Sequence, residues 1–330
     1  MNVLIVDKLS SEVVSALKKL NLQVETRGDM NAATLPSAAK SADILVVRST
    51  KVTAAAIQAA SQLSLIVRAG AGVDTIDLVA ASERGIYVAN CPGKNTAAVA
   101  ELAIGLLLAA DRRIVDATLT MRQGAWRKKE FGKARGFAGR TLGILGFGAI
   151  GKAVAERAAG LGMKVIAWSR SLSPEIAEKQ GVGYVALPDE LAVASDAVSI
   201  HLAFTPETKH LVGARFLEAM RPGAILVNTS RGQLVDTAAL RKAIVAKGLR
   251  VGLDVFEDEP AGSEGEWADK ELASLVTCTP HIGASTDQAS EAVATEVVRV
   301  IDLLSRQATR QVQSISVSTR RRSSDWWFAT

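Results

Sequence analysis

Three short segments carry side chains suited to chemistry at a keto carbon. Asn228-Thr229-Ser230-Arg231-Gly232 offers Arg231, a planar guanidinium whose fork matches a carboxylate and the keto oxygen beside it. Asp254-Val255-Phe256-Glu257-Asp258-Glu259-Pro260 offers Glu259 as an acceptor for an imidazole N–H. Thr279-Pro280-His281-Ile282-Gly283-Ala284-Ser285 offers the imidazole itself, in His281. Hydride addition to a ketone leaves an alkoxide, so a proton donor must stand beside that oxygen. His281 suits the task, and a carboxylate on its far nitrogen favours the imidazolium and fixes its orientation. Arg231, Glu259 and His281 are therefore the candidate catalytic residues, while His201 and His210 read as ordinary core or loop histidines.

A hydride reaction needs a carrier, and one segment has the pattern for it. Thr141-Leu142-Gly143-Ile144-Leu145-Gly146-Phe147-Gly148-Ala149-Ile150-Gly151 sets a glycine-rich turn between an apolar run and a helical one. That context turns a weak motif into a dinucleotide-binding expectation. Gly146 permits the tight turn, Gly148 lets the backbone approach a pyrophosphate, and Gly151 lets the helix sit close to the strand. Ala149 and Ile150 then open the helix whose N-terminus faces the phosphates. About twenty residues on, NAD sites present an acid to the ribose, but here the run ends Ala167-Trp168-Ser169-Arg170. Ser169 and Arg170 could accept a 2′-phosphate, so NAD is expected with NADP possible. Thr229 and Asp254 complete the expected cofactor-binding set, and no metal is expected.

The elements that must hold these groups follow from the hydrophobic pattern. Short β-branched runs (Val3 to Val6, Leu22 to Thr26, Ile44 to Val47, Leu63 to Val67, Ile86 to Ala89) alternate with helical segments at Ser11 to Leu20 and Leu35 to Ser41, the rhythm of a parallel sheet. A long helix is expected from Ala97 to Met121, apolar on nearly every face and so a core or dimer helix. A second series has strands at Leu142 to Leu145, Val165 to Trp168, Ala197 to His201, Ile225 to Asn228, Val251 to Val255 and Val276 to Thr279. The helix Gln288 to Leu304 is expected to return to the first domain. The expected fold is α/β, with two doubly wound parallel-sheet (Rossmann/flavodoxin-like) domains and a cleft between them. A discontinuous substrate domain would span 1–95 plus 286–330, and the dinucleotide-binding domain 96–285. The catalytic segments all follow strands of the second series, where ligands bind in open α/β sheets.

At 330 residues the chain exceeds one ordinary core, and 48% hydrophobic with 22% charged residues is a globular composition. Cys91 and Cys278 read as free thiols in a reducing compartment. The start, Met1 to Asp7, lacks signal-peptide features, and no apolar run reaches membrane-spanning length, so a cytoplasmic protein without membrane association is expected. Of the +5 formal charge, Arg320, Arg321 and Arg322 less Asp325 account for +2, leaving +3. A body so mildly basic argues against nucleic acid and suits a small polyanionic substrate.

Together the glycine turn, Ser230-Arg231-Gly232, the Asp-Val-Phe-x-x-Glu-Pro run and Pro280-His281-Ile282-Gly283-Ala284-Ser285 resemble the D-isomer-specific 2-hydroxyacid dehydrogenase family, over residues ~1 to 305. The resemblance implies that Arg231, Glu259 and His281 form the catalytic triad, agreeing with the roles read from the residues. Within the family, Val47-Arg48-Ser49-Thr50-Lys51-Val52-Thr53, Arg68-Ala69-Gly70-Ala71-Gly72-Val73-Asp74 and Gly124-Ala125-Trp126-Arg127-Lys128-Lys129-Glu130-Phe131 are similar to the phosphoglycerate dehydrogenase branch. A substrate with a carboxylate at one end and a phosphate at the other needs cations at both. Arg48 and Lys51 are expected at the phosphate, with Arg127 completing that site across a homodimer interface. Gly70 and Ala71 are expected to hold the carboxylate through their amides, and Arg68 belongs to the same substrate set.

The departures are three. The chain ends before the added regulatory domain of many branch members, so serine feedback is not expected. Ser169 replaces the usual acid, which opens NADP use, and the end from Arg320 to Thr330 fits no family pattern. The rival enzymatic expectation is an NADPH-linked glyoxylate or hydroxypyruvate reductase. A rival of another class is an NAD(H)-sensing scaffold similar to the C-terminal-binding-protein corepressors.

Overall fold

The computed structural model describes residues 1–28, 30–260 and 265–315, with side chains as far as Arg306. The tail from Arg320 to Thr330 lies outside the described residues. Two compact units are found: Met1–Pro92 with Glu291 onward, and Gly93–Ser290.

The first unit contains β1 (Asn2–Ile5), α1 (Ser11–Lys19), β2 (Gln23–Thr26), α2 (Leu35–Ala38), β3 (Ile44–Val47), α3 (Ala54–Ala59), β4 (Leu65–Arg68), α4 (Leu78–Glu83) and β5 (Tyr87–Ala89). Its five strands are parallel in the order β2-β1-β3-β4-β5, the flavodoxin-like order. β3 is buried on both faces, which is why it reads as an unbroken Ile-Leu-Val-Val. One face packs Leu4, Leu45 and Ile66 against Leu35, Ile57 and Ala80. The other packs Ile5, Ile44 and Val67 against Val13 and Leu17, and against Val297 and Ile301 of the C-terminal helix Asp287–Ile315.

The second unit runs α5 (Thr96–Arg112), α6 (Ile114–Arg122), α7 (Lys128–Phe131), β6 (Thr141–Leu145), α8 (Ala149–Gly160), β7 (Lys164–Trp168), α9 (Pro174–Lys179), β8 (Gly183–Tyr184), α10 (Pro188–Ala194), β9 (Ala197–Ile200), α11 (Ala214–Ala219), β10 (Ile225–Asn228), α12 (Thr237–Lys247), β11 (Arg250–Leu253), α13 (Lys270–Leu275) and β12 (Thr277–Cys278). Its seven parallel strands follow the order β12-β11-β10-β9-β6-β7-β8, a Rossmann arrangement that reverses direction between β6 and β9. Leu106 and Leu107 of α5 and Val154 of α8 cover one face with Ile144 and Val227. Phe216, Leu217 and Leu240 cover the other with Leu226 and Val251.

Two sequence expectations need correction. The helix expected from Ala97 to Met121 breaks at Arg113, whose backbone is left-handed at φ +50°. No glycine or proline marks the break. Arg113 is held by its own charge instead: its Nε donates to Asp116 at 3.0 Å, its Nη atoms reach Glu130 at 3.4 Å, and its guanidinium lies 4.7 Å from the Phe131 ring centroid. Such contacts offset a left-handed conformation that costs about 1–2 kcal/mol. The halves also differ in burial, since α5 buries eight residues and α6 none. The second miss is β8, a two-residue edge strand too short to leave a hydrophobic period.

Candidate active site

The glycine turn joins β6 to α8 beside the point where the strand order reverses. Gly146 has φ +103°, and a Cβ there would run into the backbone of His201. A Cβ on Gly151 would run into the Gly146 carbonyl, so helix and turn touch backbone to backbone. Gly148 differs: nothing lies within 4 Å of a Cβ built there. That open face adjoins the first N–H groups of α8, at Ala149, Ile150 and Gly151, which have no partner within their own helix. The three glycines thus meet the three requirements of a pyrophosphate turn. Two buried polar atoms without partners stand at the ends of the neighbouring strands, Thr229 Oγ1 after β10 and His201 Nδ1 after β9. Buried polar atoms are normally satisfied, and a polar group bound at this edge would supply the missing partners. Burial drives the His201 imidazole down to about 3, which keeps it neutral, and Ser199 Oγ lies 2.8 Å from its Nε2. The residues present therefore fit a dinucleotide. Ser169 and Arg170 follow β7, one strand from the glycine turn, with Arg170 exposed and its charge acting on Glu207.

The three catalytic candidates come together because β10, β11 and β12 are neighbours in the sheet. His281 Nδ1–H donates to Glu259 Oε2 at 2.6 Å, a direction fixed by an ionised carboxylate having only lone pairs to offer. Glu259 Oε1 accepts Phe256 N–H at 2.9 Å, which pins the carboxylate across its own turn. Burial pushes the Glu259 carboxyl up, but the bonds from His281 and Phe256 and the charges of His281 and Arg231 outweigh it and hold it below the usual range. Arg231 precedes the 3₁₀ turn Gly232–Leu234, its carbonyl accepting Asn228 Nδ2–H at 2.9 Å while its Nη1 donates to the Ser230 carbonyl at 2.7 Å. His281 has φ +52°, a left-handed backbone in a residue type that tolerates it better than most.

Asp254 explains how that backbone is kept. Its Oδ1 accepts Thr279 Oγ1–H at 2.6 Å and Ile282 N–H at 2.8 Å, its Oδ2 accepts Gly283 N–H at 2.8 Å, and its carbonyl accepts His281 N–H at 2.8 Å. The carboxylate, 1% exposed, is the anchor of the His281 loop. Burial pushes its carboxyl up against those bonds and the His281 charge.

The substrate candidates of the first unit follow β3 and β4. The Arg48, Ser49 and Thr50 amides all donate to Asp7 Oδ2, at 2.6, 3.1 and 3.2 Å. Arg48 is half-buried there and Lys51 exposed. Arg68 ends β4 and folds over Gly70, where a Cβ would collide with its guanidinium. The Gly70 N–H already donates to the Arg68 carbonyl at 2.8 Å, so a carboxylate bound there would share it. The Ala71 carbonyl accepts Asn90 Nδ2–H at 2.6 Å. In the second unit Arg127, 3.5 Å from Glu130, lies in a shallow, open surface depression lined also by Trp126, Lys128, Lys129, Glu130 and Lys133.

Sequence reasoning missed three contributors. Asp7 holds the Arg48–Thr50 loop, which nothing in the run Met1 to Asp7 announces. Asp254 was placed at the cofactor, without its hold on His281. His210 is a loop histidine with a partner the sequence does not announce: its Nε2–H donates to Glu257 Oε1 at 2.6 Å, with φ +53°. The repeated glutamate, Glu257 and Glu259 in one turn, was the available signal. Among the described residues no group of three or more His, Cys, Asp or Glu could hold a metal, and no helix is long and apolar enough to cross a membrane.

Comparison with known proteins adds independent findings. Residues 104–283 match the model of the D-isomer specific 2-hydroxyacid dehydrogenase NAD binding domain. The chain is 40% identical over 305 residues to a D-3-phosphoglycerate dehydrogenase of Methanocaldococcus jannaschii, covering 91% of this chain and 57% of that protein. It thus spans little more than half the length of that relative. It is 45% identical over 258 residues to a glyoxylate reductase of Thermococcus litoralis, covering 76% of each. Among solved structures, a D-lactate dehydrogenase of Aquifex aeolicus complexed with NAD and lactic acid superposes with a TM-score of 0.81 at 30% identity, covering 95% of this chain and 98% of that one.

Proposed function

Because the chain belongs to the D-isomer specific 2-hydroxyacid dehydrogenase family, we propose that it oxidises 3-phospho-D-glycerate to 3-phosphohydroxypyruvate with a nicotinamide cofactor, the first step of serine synthesis. The observation that carries the chemistry is the 2.6 Å bond between His281, in the loop after β12, and Glu259, in the turn after β11, the strand beside the β10 that precedes Arg231. The phosphate preference is supported by Arg48 and Lys51 after β3.

When bound, NAD supplies the acceptor for the hydride that leaves C2. Arg231 binds the substrate carboxylate and the oxygen at C2 through its fork. His281 takes the hydroxyl proton in oxidation and returns it in reduction. Glu259 holds the imidazole by Nδ1, leaving Nε2 for the substrate, and stabilises the imidazolium once the proton has moved. The α8 amides at Ala149, Ile150 and Gly151 would hold the pyrophosphate, with Thr229 and Asp254 on the same edge of the sheet. A carboxylate oxygen has two lone pairs, so Asp254 can accept a cofactor N–H besides its loop bonds. NAD is the proposed cofactor, with NADP accommodated by Arg170, and Arg68, Gly70 and Ala71 are proposed to line the substrate.

A homodimer is proposed as well. Ile114, Val115, Leu119 and Met121 of α6 are exposed, and Trp126 beyond it is 77% exposed, an apolar surface suited to a second copy. The second reading, a glyoxylate or hydroxypyruvate reductase, is favoured by relatives bearing those names at 45% and 46% identity. Steady-state reduction of phosphohydroxypyruvate, hydroxypyruvate and glyoxylate, each with NADH and NADPH, separates them. The highest kcat/KM is expected with phosphohydroxypyruvate, and a preference for glyoxylate with NADPH would install the second reading. Silence with all six pairs would favour a cofactor-sensing scaffold.

A further inference from the structure

The second unit holds two His–Glu pairs of the same length, one bonded through Nδ1 and the other through Nε2, and the mechanism uses one. His281 bonds Glu259 and His210 bonds Glu257, each at 2.6 Å. Both histidines have left-handed backbones, at φ +52° and +53°, and both glutamates sit in the turn after β11. Left-handed non-glycine residues are uncommon and persist where surrounding contacts over-determine them.

We propose that His210 and Glu257 form a positioning pair that fixes both Arg231 and Glu259 without touching the substrate. It rests on the dehydrogenase reading above. The Glu257 carboxylate bridges two elements, Oε1 accepting His210 Nε2–H and Oε2 accepting Thr237 N–H at 2.9 Å, the first residue of α12. Its carbonyl takes Gln233 Nε2–H at 3.2 Å. The His210 segment is tied to the same place by its backbone, since His210 N–H donates to the Gln233 carbonyl at 2.9 Å and Val212 N–H to the Leu234 carbonyl at 3.0 Å. These ties hold the 3₁₀ turn Gly232–Leu234, which Arg231 immediately precedes. Gly232 packs against the Phe256–Glu257 peptide so closely that a Cβ would collide with it.

The consequence runs both ways along the chain. On one side of the Gly232 contact is Arg231, so displacing the Phe256–Glu257 peptide moves the guanidinium. On the other is Glu259, whose Oε1 is bonded to Phe256 N–H. Burial pushes the Glu257 carboxyl up, yet the bonds from Thr237 and His210 outweigh it and hold it below its ordinary value, so it stays an ionised acceptor at neutral pH. A glutamate two residues from the catalytic one is thereby the fixed point from which Arg231 and Glu259 are both aimed.

The test compares full-length wild type with His210→Asn, Glu257→Ala, Glu257→Gln and the His210→Asn/Glu257→Ala double variant, using the best 2-keto acid with NADH. Asparagine tolerates the left-handed backbone, and glutamine keeps an acceptor for Thr237 N–H while its NH₂ can bond His210 Nε2 in the other neutral tautomer of the imidazole. A positional error of about 1 Å costs up to roughly 100-fold, so His210→Asn and Glu257→Ala are expected to lower kcat/KM for the keto acid about 10- to 100-fold. NADH affinity by fluorescence titration should stay within about twofold, because the glycine turn is untouched. Glu257→Gln should recover most of the loss, and the double variant should be no worse than Glu257→Ala. Losses that multiply in the double variant, or NADH affinity falling in step with turnover, would show an ordinary structural contact and overturn the proposal. So would His210→Asn with wild-type kinetics, which leaves the dehydrogenase reading intact. Wild-type silence with every 2-keto acid overturns both.

Discussion

Replacing Glu259 with glutamine changes one atom at the centre of the site, and its effect can be worked from the geometry. The carboxylate has two engaged oxygens, Oε2 toward His281 Nδ1 at 2.6 Å and Oε1 toward Phe256 N–H at 2.9 Å. An amide has one acceptor, so with its oxygen on Phe256 its NH₂ faces Nδ1, which must then accept and be unprotonated. The imidazolium loses a charge-assisted bond worth about 1.5–3 kcal/mol. The His281 and Glu259 side chains are 46% and 30% exposed, so solvent screening places the loss near the lower end. At 1.4 kcal/mol per factor of ten, kcat/KM for the keto acid should fall roughly 10- to 30-fold. The assay is steady-state reduction with saturating NADH, beside a fluorescence titration of NADH and a thermal melt, both expected to stay close to wild type. Glu259→Ala also strands Phe256 N–H and should cost more. A glutamine variant with kcat/KM within about twofold of wild type would refute the role given to the dyad, and an equal fall in NADH affinity would show a displaced loop instead of a lost charge.

Gly151→Val puts a side chain into the Gly146 carbonyl and should abolish NADH binding in a titration, whereas retained affinity would deny that the turn holds the pyrophosphate. Asp254→Ala strands three donors, from Thr279, Ile282 and Gly283, each costing about 1–3 kcal/mol when buried and unpaired. Urea unfolding should therefore show a loss of roughly 3 kcal/mol or more, with turnover falling as the His281 loop is released; an unchanged midpoint would remove Asp254 as its anchor. Arg48→Ala should weaken phosphohydroxypyruvate far more than glyoxylate, and an equal effect on both would refute a phosphate role. The lowered Glu257 carboxyl binds fewer protons in the folded than in the unfolded chain, so its stabilisation is complete above the unfolded pKa, about 4.5, and is lost as pH falls through the folded value. Denaturation midpoints across that acid range should fall less steeply in Glu257→Gln than in wild type, and parallel curves would show that Glu257 titrates alike in both states.

Much of this arrangement was legible because it depends on periods and punctuation. The Ile-Leu-Val-Val of β3 and the Ile-Leu-Val-Asn of β10 are buried on both faces, and a doubly covered parallel strand has that pattern. The glycine turn was legible because each glycine answers a separate backbone requirement, which the left-handed Gly146 and the open face at Gly148 display. Arg231, Glu259 and His281 were legible because a charged fork, an acid and an imidazole each follow a strand of one sheet.

Other features depend on contacts that leave no local trace. The break at Arg113 has neither glycine nor proline, and its cause lies in Asp116, Glu130 and Phe131, one of them 18 residues away. Asp254 and Asp7 each gather several backbone amides of a distant loop, and any residue but proline supplies an amide, so the partner side of such a bond is invisible in sequence. His210 and Glu257 combine both difficulties, being 47 residues apart and joined across a turn that carries neither. Composition marks residues that touch substrate by what they can do chemically, whereas residues that aim them are marked only by where their bonds end. That asymmetry is why the second His–Glu pair is evident only in the folded chain, although its glutamate stands two positions from the first.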